Sequence, residues 1–156
     1  MKNIELFQVN KYPLTNGIRL IEASAGTGKT FSLSHLVLRL LTEKEYSINE
    51  ILVVSFTEAT ASEIKAKIIE RLISALKIIE SINTNVKPYK IDDVLNEWVE
   101  LNITSKEKGL YIASLLLEAL ERIDTADITT IHGFCSKTLR REAIENGNNL
   151  NPTIEK

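Results

Sequence analysis

Short apolar runs alternate along the chain with longer segments whose apolar residues recur at a helical period. Leu20 and Ile21, followed by small residues, predict a first strand over residues 19–23. A helix is predicted over residues 29–41, where apolar side chains occupy much of the circumference, so we expect this helix to be largely covered. Residues 1–18 show no strong periodicity and predict an irregular lead-in.

Residues 50–56 predict a second strand, because their apolar run is unbroken. Such runs are typical of parallel strands that are buried on both faces. Thr57 is expected to cap the following helix, with Glu58 in its first turn. That helix should extend to about Glu80, with Arg71 mostly off its apolar face. Its apolar residues fall three or four apart: Ala61, Ile64, Ile68, Leu72, Ala75 and Ile79.

The segment from about residue 81 to residue 124 predicts a helical insertion. A short helix is expected over residues 92–101, with Trp98 in the core or on a partner surface. Thr104 and Glu107 have capping-box spacing, which predicts a second helix that ends near Ile123.

The last predicted strand covers residues 127–131, and a helix follows over residues 132–146 with Gly147 as its stop. Strands that alternate with helices predict an α/β fold with a parallel sheet and right-handed crossovers. Ligands of such sheets bind at the carboxyl ends of the strands. Three segments should therefore lie at one edge: residues 23–30, 55–59 and 129–134.

The loop between the first strand and the first helix ends in the sequence GTGKT and predicts a phosphate-binding P-loop. Gly26 and Gly28 allow a tight turn, and the N–H groups that follow can converge on an anion. Lys29 can reach the β- and γ-phosphates, and the Thr30 hydroxyl can ligate Mg²⁺. The predicted nucleotide-binding residues are Ala23, Ser24, Ala25, Gly26, Thr27, Gly28, Lys29 and Thr30.

One position of this loop departs from the consensus. The first glycine of the pattern G-x-x-x-x-G-K-[ST] is Ala23 here. The departure argues against small-molecule kinases and most small GTPases, whereas alanine or glycine is common there in one class of helicases.

The other two strand ends are less specific when each is taken alone. Residues 55–59 read more simply as a strand-to-helix turn, although the Phe56 ring could stack on a nucleic-acid base. Thr57 and the helix N-terminus could bind a backbone phosphate. His132 and Cys135 form no zinc or hydrolase pattern, so Cys135 is expected to be a buried small residue. His35 is assigned no role.

The length and composition of the chain fit one globular domain. The chain has 156 residues, a net charge of −2 and a single cysteine, so whole-chain charge does not indicate a nucleic-acid binder. The N-terminus has no apolar signal-like region and no apolar run approaches a membrane span. These features predict a cytoplasmic protein without membrane contact.

Three segments together resemble a known family. EASAGTGKT (22–30), LVVSFTEATASEIKAKI (52–68) and ITTIHGFC (128–135) are similar to motifs I, Ia and Ib of UvrD-like superfamily 1 DNA helicases. Within that family they most resemble the RecB group, the beta subunits of exodeoxyribonuclease V. Thr27, Glu58 and Gly133 are the details that favour this group over its relatives.

The resemblance implies a partial RecA-like P-loop NTPase domain that binds ATP and Mg²⁺, with Lys29 and Thr30 as its catalytic residues and Thr30 as the metal ligand. It implies contacts to single-stranded DNA through two sets of residues: Ser55, Phe56, Thr57 and Glu58, then Thr130, His132 and Phe134. In the family, two RecA-like lobes move DNA in the 3′→5′ direction. Together with RecC and RecD subunits the enzyme degrades double-stranded DNA ends and acts in break repair and recombination.

The sequence also departs from the full family pattern. No Asp-Glu pair of a Walker B motif follows the third strand, and no second lobe, arginine finger or nuclease domain is present. Residues 1–156 are therefore expected to be the N-terminal part of the ATP-binding domain. We expect weak nucleotide binding without ATP hydrolysis or unwinding. A stand-alone P-loop protein and a non-functional gene remnant are the alternatives.

Overall fold

The computed structural model describes residues 7–24, 26, 28–84 and 92–145. Over these residues the fold is α/β, as the sequence predicts. The helices are α1 (Lys29–Glu43), α2 (Glu58–Thr84), α3 (Asp93–Asn102), α4 (Lys106–Glu121) and α5 (Ile131–Glu145), and the strands are β1 (Leu52–Ser55) and β2 (Asp127–Thr130). Short 3-10 turns at Ile48–Glu50 and Ile123–Thr125 precede the two strands.

The sheet is a parallel pair in which Leu52 lies opposite Asp127 and Ser55 lies opposite Thr130. The prediction that the second strand is buried on both faces is wrong. Val53 belongs to the core, whereas Leu52 and Val54 are 46% and 47% exposed. Successive side chains of a strand point to opposite faces, and the core of the described residues covers only one of them.

The predicted first strand at residues 19–23 is also wrong, because this segment is irregular in the structure. Ile18 and Leu20 next to the nucleotide loop are almost fully exposed. A strand needs a neighbour for its backbone hydrogen bonds. Among the described residues β1 and β2 pair only with each other, so residues 19–23 have no strand beside them.

Helix α2 is the central element of the core. All six residues of its predicted apolar face are buried, and it contacts α1, α3, α4 and both strands. Thr57 caps it as predicted, since its hydroxyl accepts a hydrogen bond from the Thr60 N–H over 3.1 Å. The helix reaches Thr84, four residues beyond the predicted end.

Helices α3 and α4 form where the sequence predicts two helices, and Trp98 is fully buried in the core. Asp92 caps α3 by accepting a hydrogen bond from the Leu95 N–H over 3.0 Å. The predicted cap of α4 is off by one residue: Ser105, not Thr104, accepts from the Lys108 N–H. The predicted helix end at residues 146–147 lies outside the described residues.

Two side chains on helices differ from expectation. Cys135 is exposed, so its predicted burial is wrong; α5 packs mainly against β2 and leaves Cys135 on its outer side.

His35, to which the sequence assigns no role, is completely buried in α1. Its Nε2 lies 2.6 Å from the amide oxygen of Asn10, which ties the N-terminal segment to this helix.

Candidate nucleotide and nucleic-acid site

The loop before α1 has the backbone that its glycines predict. Gly26 and Gly28 have φ values of 78° and 83°, in the left-handed region where L side chains are strained. A Cβ on Gly26 would meet nothing within 4 Å, so the turn and not crowding requires glycine there. Ala25 and Thr27 lie outside the described residues.

Helix α1 begins with an exposed polar end. Gly28 is its N-cap and supplies no capping side chain, and the first turn contains no acidic residue. The first helical N–H groups of any α-helix lack partners inside the helix and carry the positive end of its dipole. This end of α1 therefore suits an anion such as a phosphate.

Lys29 lies across the loop. Its Nζ donates hydrogen bonds to the carbonyl oxygens of Ala23, over 2.9 Å, and Ser24, over 3.1 Å. The ammonium group thus closes the loop on itself and adds a positive charge to the helix end. Thr30, the next residue, is half-buried in the first turn.

At the end of β1, the ring of Phe56 is exposed and the hydroxyl of Ser55 is buried. Phe56 is 89% exposed. Ser55 is buried, and its hydroxyl donates to the carbonyl oxygen of Thr57 over 2.9 Å. Ser55 therefore shapes the turn, while Phe56 offers an apolar surface to solvent.

The end of β2 is fastened to the start of α2. The buried Thr130 hydroxyl donates to the Glu58 carboxylate over 2.9 Å and accepts from the Gly133 N–H over 3.0 Å. His132 is exposed and Phe134 is half-buried. The structure thus brings the second and third predicted segments together by a direct hydrogen bond.

Sequence reasoning missed one feature near the loop. Arg71 is buried, and its guanidinium lies over the ring of Phe31, which follows Thr30 directly. The prediction that Arg71 lies mostly off the apolar face of α2 is therefore wrong. Its spacing of three positions from Ile68 indicated the same helical face, but not the distant partners that keep its charge buried.

The described residues contain no group of three or more His, Cys, Asp or Glu side chains that could hold a metal ion. Nor does any helix in the described ranges have the length and apolar character needed to cross a bilayer.

Comparison with known proteins gives a consistent result. The chain is 39% identical over 146 residues to the RecBCD enzyme subunit RecB of Haemophilus influenzae, a match that covers 87% of this chain and 12% of that protein. It is 39% identical over 139 residues to RecB of Escherichia coli, with 84% and 11% covered. RecB of Buchnera aphidicola subsp. Baizongia pistaciae is 41% identical over 140 residues, with 85% and 11% covered.

The chain therefore spans about a ninth of the length of these curated relatives, 11–12% in each case. The family model for the UvrD/REP helicase N-terminal domain matches residues 5–156. On this match the chain belongs to the UvrD/REP helicase N-terminal domain family.

Proposed function

We propose that this chain is the N-terminal ATP-binding portion of a RecB-like, ATP-dependent 3′→5′ DNA helicase and exonuclease subunit that acts in double-strand break repair and recombination. The observation that carries the proposal is the uncapped start of α1, which follows two left-handed glycines and begins with Lys29 and Thr30. The family membership and the RecB relatives support it.

The residues of the loop fit ATP with Mg²⁺. Lys29 would neutralise the β- and γ-phosphates, and the first-turn N–H groups of α1 would donate to phosphate oxygens. Thr30 would supply a hydroxyl to a Mg²⁺ ion held mainly by the phosphates. The bound ion would screen the charge of the phosphates, while these residues orient them.

The two joined strand ends fit single-stranded DNA. Phe56 offers an exposed ring on which a base could stack, a contact worth about 1–3 kcal/mol per base. His132 lies exposed at the start of α5 and could approach the backbone. Ser55, Thr57 and Thr130 would act by holding these turns, since their hydroxyls already bond within the protein.

The wider role rests on the relatives. In a full-length protein, the partners would be RecC-like and RecD-like subunits and DNA ends, in the cytoplasm. Residues 1–156 would form part of a first RecA-like lobe. Hydrolysis also needs groups that position the attacking water and stabilise the transferred phosphate. Because the sequence has no Asp-Glu pair of a Walker B motif after the third predicted strand, we expect the chain to bind ATP without hydrolysing it.

Calorimetric titration with ATP and Mg²⁺ tests the nucleotide site. We expect measurable binding by the purified chain and at least about a tenfold loss in Lys29→Ala, because the variant removes the charge that faces the phosphates. Lys77→Ala is the matched control, since Lys77 is an exposed lysine on α2. Equal affinity of Lys29→Ala and the parent would refute the nucleotide site. DNA-stimulated ATP hydrolysis that depends on Lys29 would refute the predicted inactivity.

Photocrosslinking to a thymidine oligonucleotide tests the DNA surface. Phe56→Ala should reduce the crosslinked fraction several-fold, because it removes the exposed ring. Tyr46→Ala is the control, since Tyr46 is also an exposed aromatic residue but lies on another loop. Equal losses in both variants, or none in either, would count against a DNA contact at Phe56.

A further inference from the structure

Arg71 connects the first turn of α1 to the first turn of α3. The guanidinium carbon of Arg71 lies 4.1 Å from the centroid of the Phe31 ring, within cation–π range. Its Nη1 also donates to the Asp92 carboxylate over 2.5 Å. Arg71 itself belongs to the middle of α2, so its side chain links this helix to α1 and to the N-cap of α3.

The guanidinium is buried and contacts Asp92 and the Phe31 ring, while its Nη2 has no hydrogen-bond partner among the described residues. Its side chain is only 5% exposed, and a buried charge is costly unless it is paired. Asp92 provides that pairing and is itself held as the N-cap of α3. The Phe31 ring lies over the guanidinium, so movement of the ring away from Arg71 would expose a buried charge.

The start of α1 lacks the side-chain N-cap that stabilises many helices. Gly28 provides no cap hydrogen bond, and the Ser32 N–H donates to the Gly28 carbonyl over 2.8 Å as the helix begins. Phe31 is the third residue of the helix, and its ring contacts the guanidinium of Arg71 on α2.

We propose that Arg71 is a positioning residue for the nucleotide loop. By holding Phe31, it fixes the first turn of α1 and therefore the placement of Lys29 and Thr30. The pairing with Asp92 makes that placement depend on the start of α3 as well. This inference rests on the proposed nucleotide site. Its structural half, that Arg71 fixes the first turn of α1, is testable without nucleotide; its functional half is that this turn sets the affinity for ATP.

Amide hydrogen exchange tests the structural half. In Arg71→Met, which keeps an unbranched apolar stem, the Ser32 amide should exchange several-fold faster relative to the Leu38 amide in the middle of α1. Phe31→Leu should do the same while leaving the Arg71–Asp92 pair in place. The matched control is Arg39→Met, because Arg39 is similarly buried at 6% exposure but pairs with Glu43 at the far end of α1.

Titration with ATP and Mg²⁺ tests the functional half. Arg71→Met and Phe31→Leu should each raise Kd by about three- to tenfold, and the double variant should be little worse than either single one. Arg71→Lys should recover thermal stability more than affinity, since an ammonium group keeps the charge but not the planar stacking. Arg39→Met should lower the melting temperature without raising Kd.

The outcomes separate this inference from the proposed function. If the parent chain binds no nucleotide through Lys29, the proposed function fails, and exchange at Ser32 still decides whether Arg71 fixes the helix start. If Lys29-dependent binding occurs but Phe31→Leu changes neither Ser32 exchange nor Kd, the positioning role is overturned. Equal effects of Arg39→Met and Arg71→Met on Kd would also overturn it.

Discussion

The Thr130 hydroxyl donates a hydrogen bond to the Glu58 carboxylate over 2.9 Å, and so joins the end of β2 to the start of α2. The same oxygen accepts from the Gly133 N–H. Thr130 is 4% exposed, whereas Glu58 is exposed, so the hydrogen bond joins a buried hydroxyl to a carboxylate at the surface. The two turns proposed to contact DNA are therefore joined by a hydrogen bond. A substitution that breaks this bond should destabilise both turns.

Removing the Thr130 hydroxyl should destabilise the fold. In Thr130→Val the Gly133 N–H loses its acceptor and Glu58 loses a donor, which should lower the free energy of unfolding by about 1–3 kcal/mol. Urea titration measures the loss. Thr125→Val is the control, because the Thr125 hydroxyl is exposed and water can replace its partners. Similar losses in the two variants would contradict a special role for Thr130.

A side chain at residue 133 should disturb the start of α5. The Cβ of Gly133→Ala would lie 2.5 Å from the Thr129 hydroxyl oxygen, and such crowding typically costs about 1–3 kcal/mol. In an open helical position the same substitution would instead stabilise by up to about 1 kcal/mol. Gly133→Ala should therefore have a lower melting temperature than the parent in thermal unfolding, although the higher helix propensity of alanine alone would raise it.

A second substitution tests the cause of that loss. Thr129→Ala removes the obstructing oxygen, so the double variant Gly133→Ala, Thr129→Ala should be more stable than the sum of the two single effects predicts. Strict additivity would mean that the contact between these residues is not the source of the strain.

The open face of the sheet should tolerate polar substitution. Leu52→Thr and Val54→Thr remove apolar groups that are already about half exposed, and threonine keeps a good strand propensity. We expect unfolding free energies within about 0.5 kcal/mol of the parent and a higher protein concentration at the onset of light scattering.

Val53 provides the matched comparison on the other face. It is 8% exposed and belongs to the core, so Val53→Thr should cost about 1–3 kcal/mol by burying an extra hydroxyl. Equal tolerance at residues 53 and 54 would contradict the one-sided burial of β1.

The elements that could be predicted from sequence are those set by local periodicity. The apolar face of α2 follows from residues three and four apart, and the cap of that helix follows from Thr57. The start of α1 after Gly28 likewise follows from the pattern of the loop. These features depend on neighbours within a few positions, which a single sequence displays directly.

The features that were missed depend on contacts distant in sequence. Residues 19–23 have strand-like composition, but no described strand lies beside them. Thr130 bonds to a residue 72 positions away, so its burial could not be predicted from its own segment. Arg71 needed both Phe31 and Asp92 to stay buried, and these residues lie on two other helices or their caps.

His35 should make the fold less stable in mild acid. It is completely buried. Burial, together with the nearby Arg71 and Arg39 and opposed in part by Asp92, lowers its pKa from 6.5 to about 3. Between these two pKa values the unfolded chain binds a proton that the folded chain excludes. Stability is therefore complete above about pH 6.5 and falls by up to about 1.4 kcal/mol per pH unit below it.

His35→Gln isolates this effect, because glutamine stays neutral and keeps an amide near Asn10. Urea titration at about pH 7 and pH 5 should show that the parent loses about 2 kcal/mol more than His35→Gln does. Carboxylates titrate alike in both proteins and cancel in the difference. If His35→Gln loses as much stability as the parent on acidification, the proton taken up on unfolding does not belong to His35.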